Sequence, residues 1–308
     1  MSRGAHILSL AARQLTYGDA GAALETVRGL LTEDPSNATA HALLAQILLS
    51  QRRLHAADIE ARLALQYDPM LPYAHVVLGR VALSQRRFGA SEESFLAAHA
   101  LAPDDAAPFL GRATLRRLQQ RRREVAPLLE EALRREPNDA QIHADLAEHY
   151  ADVGDTGRAY TSARSALALT AECADAHVVL GRLELGDGNV EAAREGACDA
   201  LRLEPNNAGA LRLLAEVKAR QSWALGLWWR FSAALDRLGP ERSIGVLVGL
   251  WFVIQLATTY FKFNKAPTAA TVTSWSFLAF CAYTWVAPGL FHRSVQRELG
   301  AVKSLKDF

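Results

Sequence analysis

The histidines of this chain are candidates for metal binding by their type and spacing, because imidazole is a common metal ligand. Four histidines recur at intervals of 34 residues or a multiple of 34: His41, His75, His143 and His177. A recurrence every 34 residues is typical of a repeat, so histidines one period apart would lie on neighbouring repeats, about 10 Å apart by ordinary helix packing. A zinc–nitrogen bond is about 2 Å long, so one ion cannot bind two of them. We therefore interpret these histidines as structural positions and predict no metal site.

Other patterns that support catalysis are missing from the sequence. It has no glycine-rich phosphate loop, no zinc-binding helix motif and no nucleophile elbow. The acidic pairs Glu92-Glu93 and Glu130-Glu131 are typical of exposed helix surfaces. The three cysteines have no paired spacing, which offers no disulfide or zinc framework. We predict a protein that is not an enzyme and that binds no cofactor.

The spacing of the prolines indicates the helices that would position any functional residue. Five prolines share one register of 34 residues, with one position skipped: Pro35, Pro69, Pro103, Pro137 and Pro205. The string from Ala74 to Arg80 is identical to the string from Ala176 to Arg182, which begins 102 positions later. A period of this length predicts a stack of helical hairpins, because each hairpin can bury its apolar face only against its neighbours.

Each repeat is predicted to contain two helices. In the second repeat, apolar residues between Leu44 and Leu48 have helical spacing, and the polar Gln51–Arg53 interrupts them. A second apolar run follows and ends before Pro69, since proline fits the start of the next helix. Small residues share one phase in the middle of the second helix, where a large side chain would hold the two helices apart: Ala23, Ala57, Ala159 and Ala193.

This pattern resembles the tetratricopeptide repeat family. Leu78-Gly79, Phe95, Ala98 and Pro103 match the family's pattern, whereas histidine replaces the family's tryptophan. Leu110-Gly111 comes two residues early, which predicts a distorted fourth repeat, and Ala171 stands where proline is expected. The resemblance implies an all-α fold: a right-handed superhelix of about six helix–turn–helix repeats over residues 4–207, with a capping helix from Ala208 to about Gln221.

The resemblance also implies that a protein partner binds the inner face formed by the first helix of each repeat. The residues expected on this concave groove are Gln46, Tyr73, Arg80, Glu148, Arg182 and Arg212. Arg80 and Arg182 suit bidentate binding of a carboxylate from an acidic or C-terminal peptide segment. The alternative is that each arginine is solvated, or paired with an acid such as Glu148 or Glu184.

Arginines are concentrated in the turns between the two helices of the second, third and fourth repeats. They are Arg52, Arg53, Arg86, Arg87, Arg121, Arg122 and Arg123, and we call them the basic edge. This edge is predicted to meet anionic lipid headgroups or an acidic protein, and the alternative is a solvated rim. A nucleic acid partner is disfavoured, because the edge has no aromatic residues and the repeats as a whole carry a net charge of −4.

The composition changes near residue 221. All six tryptophans lie beyond it, and residues 221–308 carry a net charge of +5. The uncharged stretches Ile244–Phe261 and Val272–Phe291 are 18 and 20 residues long, and a membrane-spanning helix needs about 17–25 apolar residues. We predict a two-span transmembrane hairpin in which Gly245 and Gly249 allow close helix packing. The alternative is a buried hairpin of a soluble protein.

These features divide the chain into four segments. They are a repeat domain at 1–221, an amphipathic interfacial or linker helix at 222–242, the hairpin at 243–292 and an amphipathic tail at 293–308. A longer cap on the last repeat is an equal alternative for 222–242. Basic residues flank the hairpin on its terminal sides, and Met1–Leu10 has no signal-peptide core. Both termini and the repeats are therefore expected in the cytoplasm, and the alanine- and arginine-rich composition suggests a bacterial inner membrane.

Together these features predict a membrane-anchored scaffold or adaptor. Its cytoplasmic repeats would capture a protein partner, and its hairpin would hold that partner at the lipid bilayer. The alternative is a structural or assembly subunit of a larger membrane complex, in which the hairpin packs on other membrane subunits.

Overall fold

A computed structural model describes residues 3–221 and 251–260, together with residues 263, 268, 271–273, 275, 276 and 278. All secondary structure in these described residues is helical, which confirms the predicted all-α class for the repeats. The chain divides into two compact units, Met1–Leu169 and Thr170–Phe308. The boundary lies in the turn where Ala171 replaces the expected proline.

The helices have nearly equal lengths, as a 34-residue period requires. The first unit contains α1 (Arg3–Thr16), α2 (Ala20–Glu33), α3 (Ala38–Ser50), α4 (Leu54–Tyr67), α5 (Pro72–Ser84), α6 (Phe88–Leu101), α7 (Ala107–Leu118), α8 (Val125–Arg135), α9 (Ala140–Val153) and α10 (Thr156–Leu169). The described helices at the start of the second unit are α11 (Ala174–Gly186), α12 (Val190–Leu203) and α13 (Ala208–Gln221). Residues 251–260 are also helical.

Consecutive helices pair as antiparallel hairpins, from α1–α2 to α11–α12. Within the first unit, the first helix of a hairpin also contacts the first helix of the next, as α3 contacts α5 and α5 contacts α7. In the second unit, α13 packs on both α11 and α12, as expected of a capping helix. Side chains from the first helices of neighbouring hairpins in the first unit therefore share one surface.

Small buried residues occupy the place where the two helices of a hairpin cross. The first helices contribute Ala11, Ala45, Gly79, Ala113, Ala147 and Gly181, and the second helices contribute Ala23, Ala57, Ser91, Ala159 and Ala193, with the larger Val125 in the fourth hairpin. The four alanines predicted in the middle of the second helices lie instead in the first turn of each, because the helices cross there. In the third hairpin the hydroxyl of Ser91 donates to the carbonyl of Gly79 at 2.9 Å. A Cβ added to Gly181 would lie 3.1 Å from the carbonyl oxygen of Ala193. The backbones therefore approach too closely for larger side chains.

The turn inside each hairpin has the same backbone conformation. A residue with positive φ ends the first helix at Gly18, Arg52, Arg86, Gln120, Gly154 and Gly188, at intervals of 34 residues. The next residue donates its N–H to a carbonyl five residues earlier, for example from Arg53 to Leu48 at 2.9 Å and from Asp155 to Tyr150 at 2.9 Å. This is the Schellman arrangement, which satisfies carbonyls at the end of a helix.

The fourth hairpin keeps the register of the others. Gln120 occupies its turn position, and Ala113, at 1% exposure, occupies its helix crossing. The predicted distortion of the fourth repeat therefore does not lie in its first helix, where Leu110-Gly111 comes early. Gly111 instead makes room for the buried ring of Phe95, because an added Cβ would lie 2.3 Å from a ring carbon. The irregularity lies after the turn, where a 3₁₀ turn at Arg122–Glu124 precedes a shortened α8.

The predicted membrane segment falls mostly outside the described residues. Gly245 and Gly249 lie there, as do residues 222–242, 293–308 and most of both predicted spans. Among the helices that the structure does describe, none combines the length and the hydropathy that a bilayer-spanning segment requires.

The turn conformation leads to a prediction for two glycines with open surroundings. A Cβ added to Gly154 or to Gly29 meets no atom within 4 Å, but Gly154 has a φ of +84° whereas Gly29 lies inside α2. We expect Gly154→Ala to lower the free energy of unfolding by about 1 kcal/mol, because alanine is strained in the left-handed region. Gly29→Ala is the control, and should raise it by about 0.5 to 1 kcal/mol. Urea unfolding curves measure both, and equal effects would contradict the turn assignment.

Candidate functional site

Three of the predicted groove residues lie together on α3 and α5. The Arg80 guanidinium Nη1 lies 3.4 Å from the amide oxygen of Gln46, one repeat earlier. Burial raises the pKa of the Tyr73 hydroxyl, and the nearby positive charge of Arg80 lowers it by a smaller amount. All three side chains are half-buried. The stacking of the first helices thus gathers a cation, an amide and a phenol at one place.

Arg80 has no carboxylate within ion-pair distance in the part of the chain that the structure describes. Its one polar side-chain contact there is the neutral Gln46, at a long distance for a hydrogen bond. An arginine in this position keeps most of its five N–H donors available, and two parallel donors suit a carboxylate. The predicted alternative of an ion pair between Arg80 and Glu148 is not found within the first unit.

The acidic groove residue has a different partner. Glu148 of α9 binds Arg117 of α7, with 2.5 Å between Oε2 and Nη1. In the second unit, Glu184 accepts a hydrogen bond from Asn189 at 2.7 Å. Glu148 therefore lies at an ion pair between the fourth and fifth hairpins, and the structure does not bring it to Arg80.

The remaining groove residues belong to the second unit. Arg212 of α13 is exposed and pairs with Glu216 one turn later, at 3.0 Å. Arg182 of α11 belongs to the repeated string and already has a polar interaction. The structure gives these two arginines partners of their own, whereas Arg80 has no ion-pair partner among the described residues.

The four periodic histidines share one structural role. Each Nε2 lies within hydrogen-bond distance of the carbonyl oxygen six residues earlier: His41 with Pro35 at 2.9 Å, His75 with Pro69 at 2.9 Å, His143 with Pro137 at 3.3 Å and His177 with Ala171 at 3.0 Å. A carbonyl accepts, so the ring nitrogen donates. These bonds hold the turn between successive hairpins, including the turn that lacks proline. The described residues contain no cluster that could hold a metal ion.

The third turn of this kind is held by a different residue. Phe109 occupies the histidine position and has no donor, so the carbonyl of Pro103 accepts from Nε of Arg135 at 2.8 Å instead. The guanidinium of Arg135 also lies over the Phe109 ring, 4.1 Å from its centre. Sequence reasoning missed this replacement, and the signal was Phe109, a residue without a donor that interrupts the run of histidines from His41 to His177.

Glu92 was also misjudged from the sequence. It is not a free acid of the helix surface, because it binds Arg112 at 3.0 Å and Arg116 at 2.8 Å between α6 and α7. Arg116 also pairs with Glu124 at 2.7 Å. The side chains of Glu92 and the two arginines it binds are mostly buried. This cluster ties the third hairpin to the fourth.

The basic edge is exposed, and only part of its charge is neutralised. Arg87 pairs with Asp58, Arg121 lies 3.9 Å from Glu124, and Arg122 donates to the carbonyl of Asp152 at 3.3 Å. Among the described residues, the other four edge arginines have no ion pair: Arg52, Arg53, Arg86 and Arg123.

His149 lies beside this edge and is 7% exposed. Burial lowers its pKa most, the charge of Arg117 lowers it further, and Arg122 and Arg158 add to this effect. Asp152 opposes them. The folded protein therefore favours a neutral ring at this position.

Known proteins share this fold. Residues 9–69 and 144–209 match the family described as Tetratricopeptide repeat. A thermophilic repeat protein of Thermus thermophilus is similar at 21% identity and a TM-score of 0.55, covering 59% of this chain and 99% of that one. A repeat protein of Parabacteroides merdae has 18% identity, a TM-score of 0.58 and coverages of 70% and 84%. The pilF protein of Pseudomonas aeruginosa has 21% identity, a TM-score of 0.52 and coverages of 69% and 97%.

At these identities the similarity shows the fold alone. No curated protein matches the sequence.

The environment of His149 leads to a prediction about pH. Its folded pKa lies below the unfolded value of about 6.5, so the unfolded chain takes up a proton that the folded chain resists. The stability that His149 contributes is complete above about pH 6.5 and is lost as the pH falls from that value through the lower folded pKa.

We therefore expect His149→Gln to flatten the fall in the urea midpoint between about pH 7.5 and pH 5.5. The same substitution at the exposed His6 is the control. If the urea midpoint falls equally with pH in the wild type and in His149→Gln, the inferred environment of His149 is wrong.

Proposed function

We propose that the chain is a non-catalytic adaptor of the tetratricopeptide repeat type, which binds a protein partner and holds it at a membrane. Tetratricopeptide repeats bind proteins or peptides, so the fold supports a scaffold for protein interaction. The observation that carries the proposal is the half-buried Arg80, which lies 3.4 Å from the amide oxygen of Gln46 and acts electrostatically on Tyr73, with no carboxylate partner among the described residues.

The chemistry of this site favours a carboxylate ligand. A guanidinium that is partly removed from water gains from a charge-assisted, bidentate bond to an anion. The amide of Gln46 and the hydroxyl of Tyr73 add neutral donors beside it. An acidic side chain or the C-terminal carboxylate of a peptide fits these donors, so the partner presents such a group in an extended or helical segment.

Membrane attachment rests on the sequence beyond residue 221. Ile244–Phe261 and Val272–Phe291 have the length and composition of spans, and basic residues flank them on the terminal sides. We propose an integral protein of a bacterial inner membrane whose repeats and termini face the cytoplasm. Gly245 and Gly249 would then allow the first span to pack closely on a second helix.

The test removes the charge of Arg80. We expect Arg80→Glu to abolish co-purification of a soluble protein from native membranes in mild detergent, because the ligand carboxylate would face a like charge. Arg80→Lys should weaken capture without abolishing it, since lysine keeps the charge and loses the planar pair of donors. Arg28→Glu makes the same charge change on the exposed surface of α2 and is the control.

The outcomes separate the adaptor from the complex subunit. A soluble partner that is lost only with Arg80 variants supports the adaptor. A partner that Arg80→Glu leaves bound would contradict the groove. Integral membrane proteins that co-purify with all variants, and are lost when residues 222–308 are replaced by a foreign anchor, would favour the assembly subunit.

A further inference from the structure

The turns inside the hairpins share one backbone and two kinds of sequence. The first, fifth and sixth turns contain Gly18-Asp19, Gly154-Asp155 and Gly188-Asn189, whereas the second, third and fourth contain Arg52-Arg53, Arg86-Arg87 and Gln120-Arg121. The first residue of each pair has positive φ, and the second precedes the next helix.

The arginine turns are less favourable for folding at the first position. Arg52, Arg86 and Gln120 have φ of 62°, 61° and 61°, in a region that strains side chains with a Cβ. Glycine avoids this strain, and the same position holds glycine in the other hairpins.

They are also less favourable at the second position. Asp19 accepts a hydrogen bond from the N–H of Ala22 at 2.9 Å, and Asp155 accepts one from Arg158 at 3.0 Å. Arg53, Arg87 and Arg121 make no such capping bond. Asn189 makes none either, but it carries no charge. Arg53 and Arg87 each place a positive charge at the positive end of an α-helix dipole. The second, third and fourth hairpins therefore lack both glycine at the left-handed position and a capping side chain at the next position. Residues that oppose local folding preferences in this way are typical of positions that serve function rather than stability.

Hydrogen bonds between neighbouring hairpins place the turns side by side. The side chain of Gln51 donates to the carbonyl of Ala20 at 3.5 Å, and that of Gln85 donates to the carbonyl of Leu54 at 3.2 Å. The second and third turns are thereby tied to the start of the second helix in the preceding hairpin. In the fourth hairpin, Arg116 of α7 pairs with Glu92 of the third hairpin at 2.8 Å. The arginines of the basic edge thus form a row on three successive, stacked hairpins of the first compact unit.

The side chains of the basic edge indicate which class of ligand it binds. Residues 51–53, 85–87 and 119–123 include no apolar side chain, whereas a specific protein interface has an apolar core. They include no aromatic ring on which a nucleic acid base would stack. Exposed arginines on long side chains suit a surface of mobile anions, such as the anionic headgroups of a bilayer.

We propose that the basic edge binds anionic phospholipid headgroups and so holds the first compact unit against the membrane surface. The inference rests on the proposed attachment of the chain to a membrane. It adds a second, electrostatic contact to the anchor, and it gives a reason for the strained and uncapped turns.

The test uses the full chain in nanodiscs of phosphatidylcholine, with or without phosphatidylglycerol. Phenylglyoxal modifies accessible guanidinium groups, and mass spectrometry gives the rate at each arginine. We expect Arg52, Arg86 and Arg123 to react at least about fivefold more slowly in the anionic discs. The exposed Arg13 is the internal reference and should react equally in both. Added salt should remove the difference, because it screens exposed charges.

A variant with the sequence of the glycine-containing turns removes the positive charge of one arginine turn without weakening the fold. Arg52→Gly with Arg53→Asp installs the Gly-Asp pair of the first and fifth hairpins, so it should unfold at an equal or higher urea concentration. We expect it to reduce the protection of Arg86 and Arg123 in anionic discs. Arg28→Asp makes the same charge change as Arg53→Asp away from the edge, and should leave that protection unchanged.

Equal rates in the two kinds of disc would overturn the inference and leave membrane attachment intact. Protection in native membranes but not in anionic discs would also overturn it, in favour of an acidic protein. If the chain fails to enter any disc, the proposed attachment is wrong. The same labelling with anionic vesicles then decides the inference, because protection supports it and its absence overturns it.

Discussion

The close approach of two helices in every hairpin is the constraint on which the rest of the structure depends. Glycine, alanine or serine occupies this crossing in most hairpins, and a Cβ on Gly79 would lie 2.6 Å from the ring of Phe95. The tight crossing fixes the shape of each hairpin, and the shape fixes how the next hairpin stacks on it. Gln46 and Arg80, one period apart, meet because of that stacking. The candidate site thus depends on the helix crossings, although the residues at those crossings carry no functional group of the site.

The second constraint is the left-handed residue that ends the first helix of each hairpin. The hydrogen bonds around it involve only the backbone, so the conformation is the same whether the residue is Gly154 or Arg86. Stability favours glycine there but does not demand it, because the cost is small beside the packing of a whole hairpin. The side chains of these turns are therefore available for other uses, and the second to fourth hairpins present positive charge there.

Periodicity explains how much the sequence could predict. The 34-residue register placed the helices, the small residues at the crossings and the structural histidines, since each depends on a feature shared by all repeats. Contacts between unlike repeats were missed. Arg135 replaces a histidine donor at Pro103, and Glu92 binds two arginines of the next hairpin. Such contacts depend on side-chain reach between particular neighbours. The place of the irregularity in the fourth repeat was missed for the same reason, because the early Gly111 packs against Phe95 of the previous hairpin.

The central claim is that the surface around Arg80 holds a protein partner. The most direct measurement is photo-crosslinking in intact cells, with a photoreactive amino acid in place of Gln46, which contacts Arg80. A matched chain carries the same amino acid in place of Glu25, on the exposed side of α2. We predict a discrete protein adduct from position 46 that Arg80→Glu removes, and none from position 25. The absence of a protein adduct at position 46, or the same adducts from both positions, would contradict it.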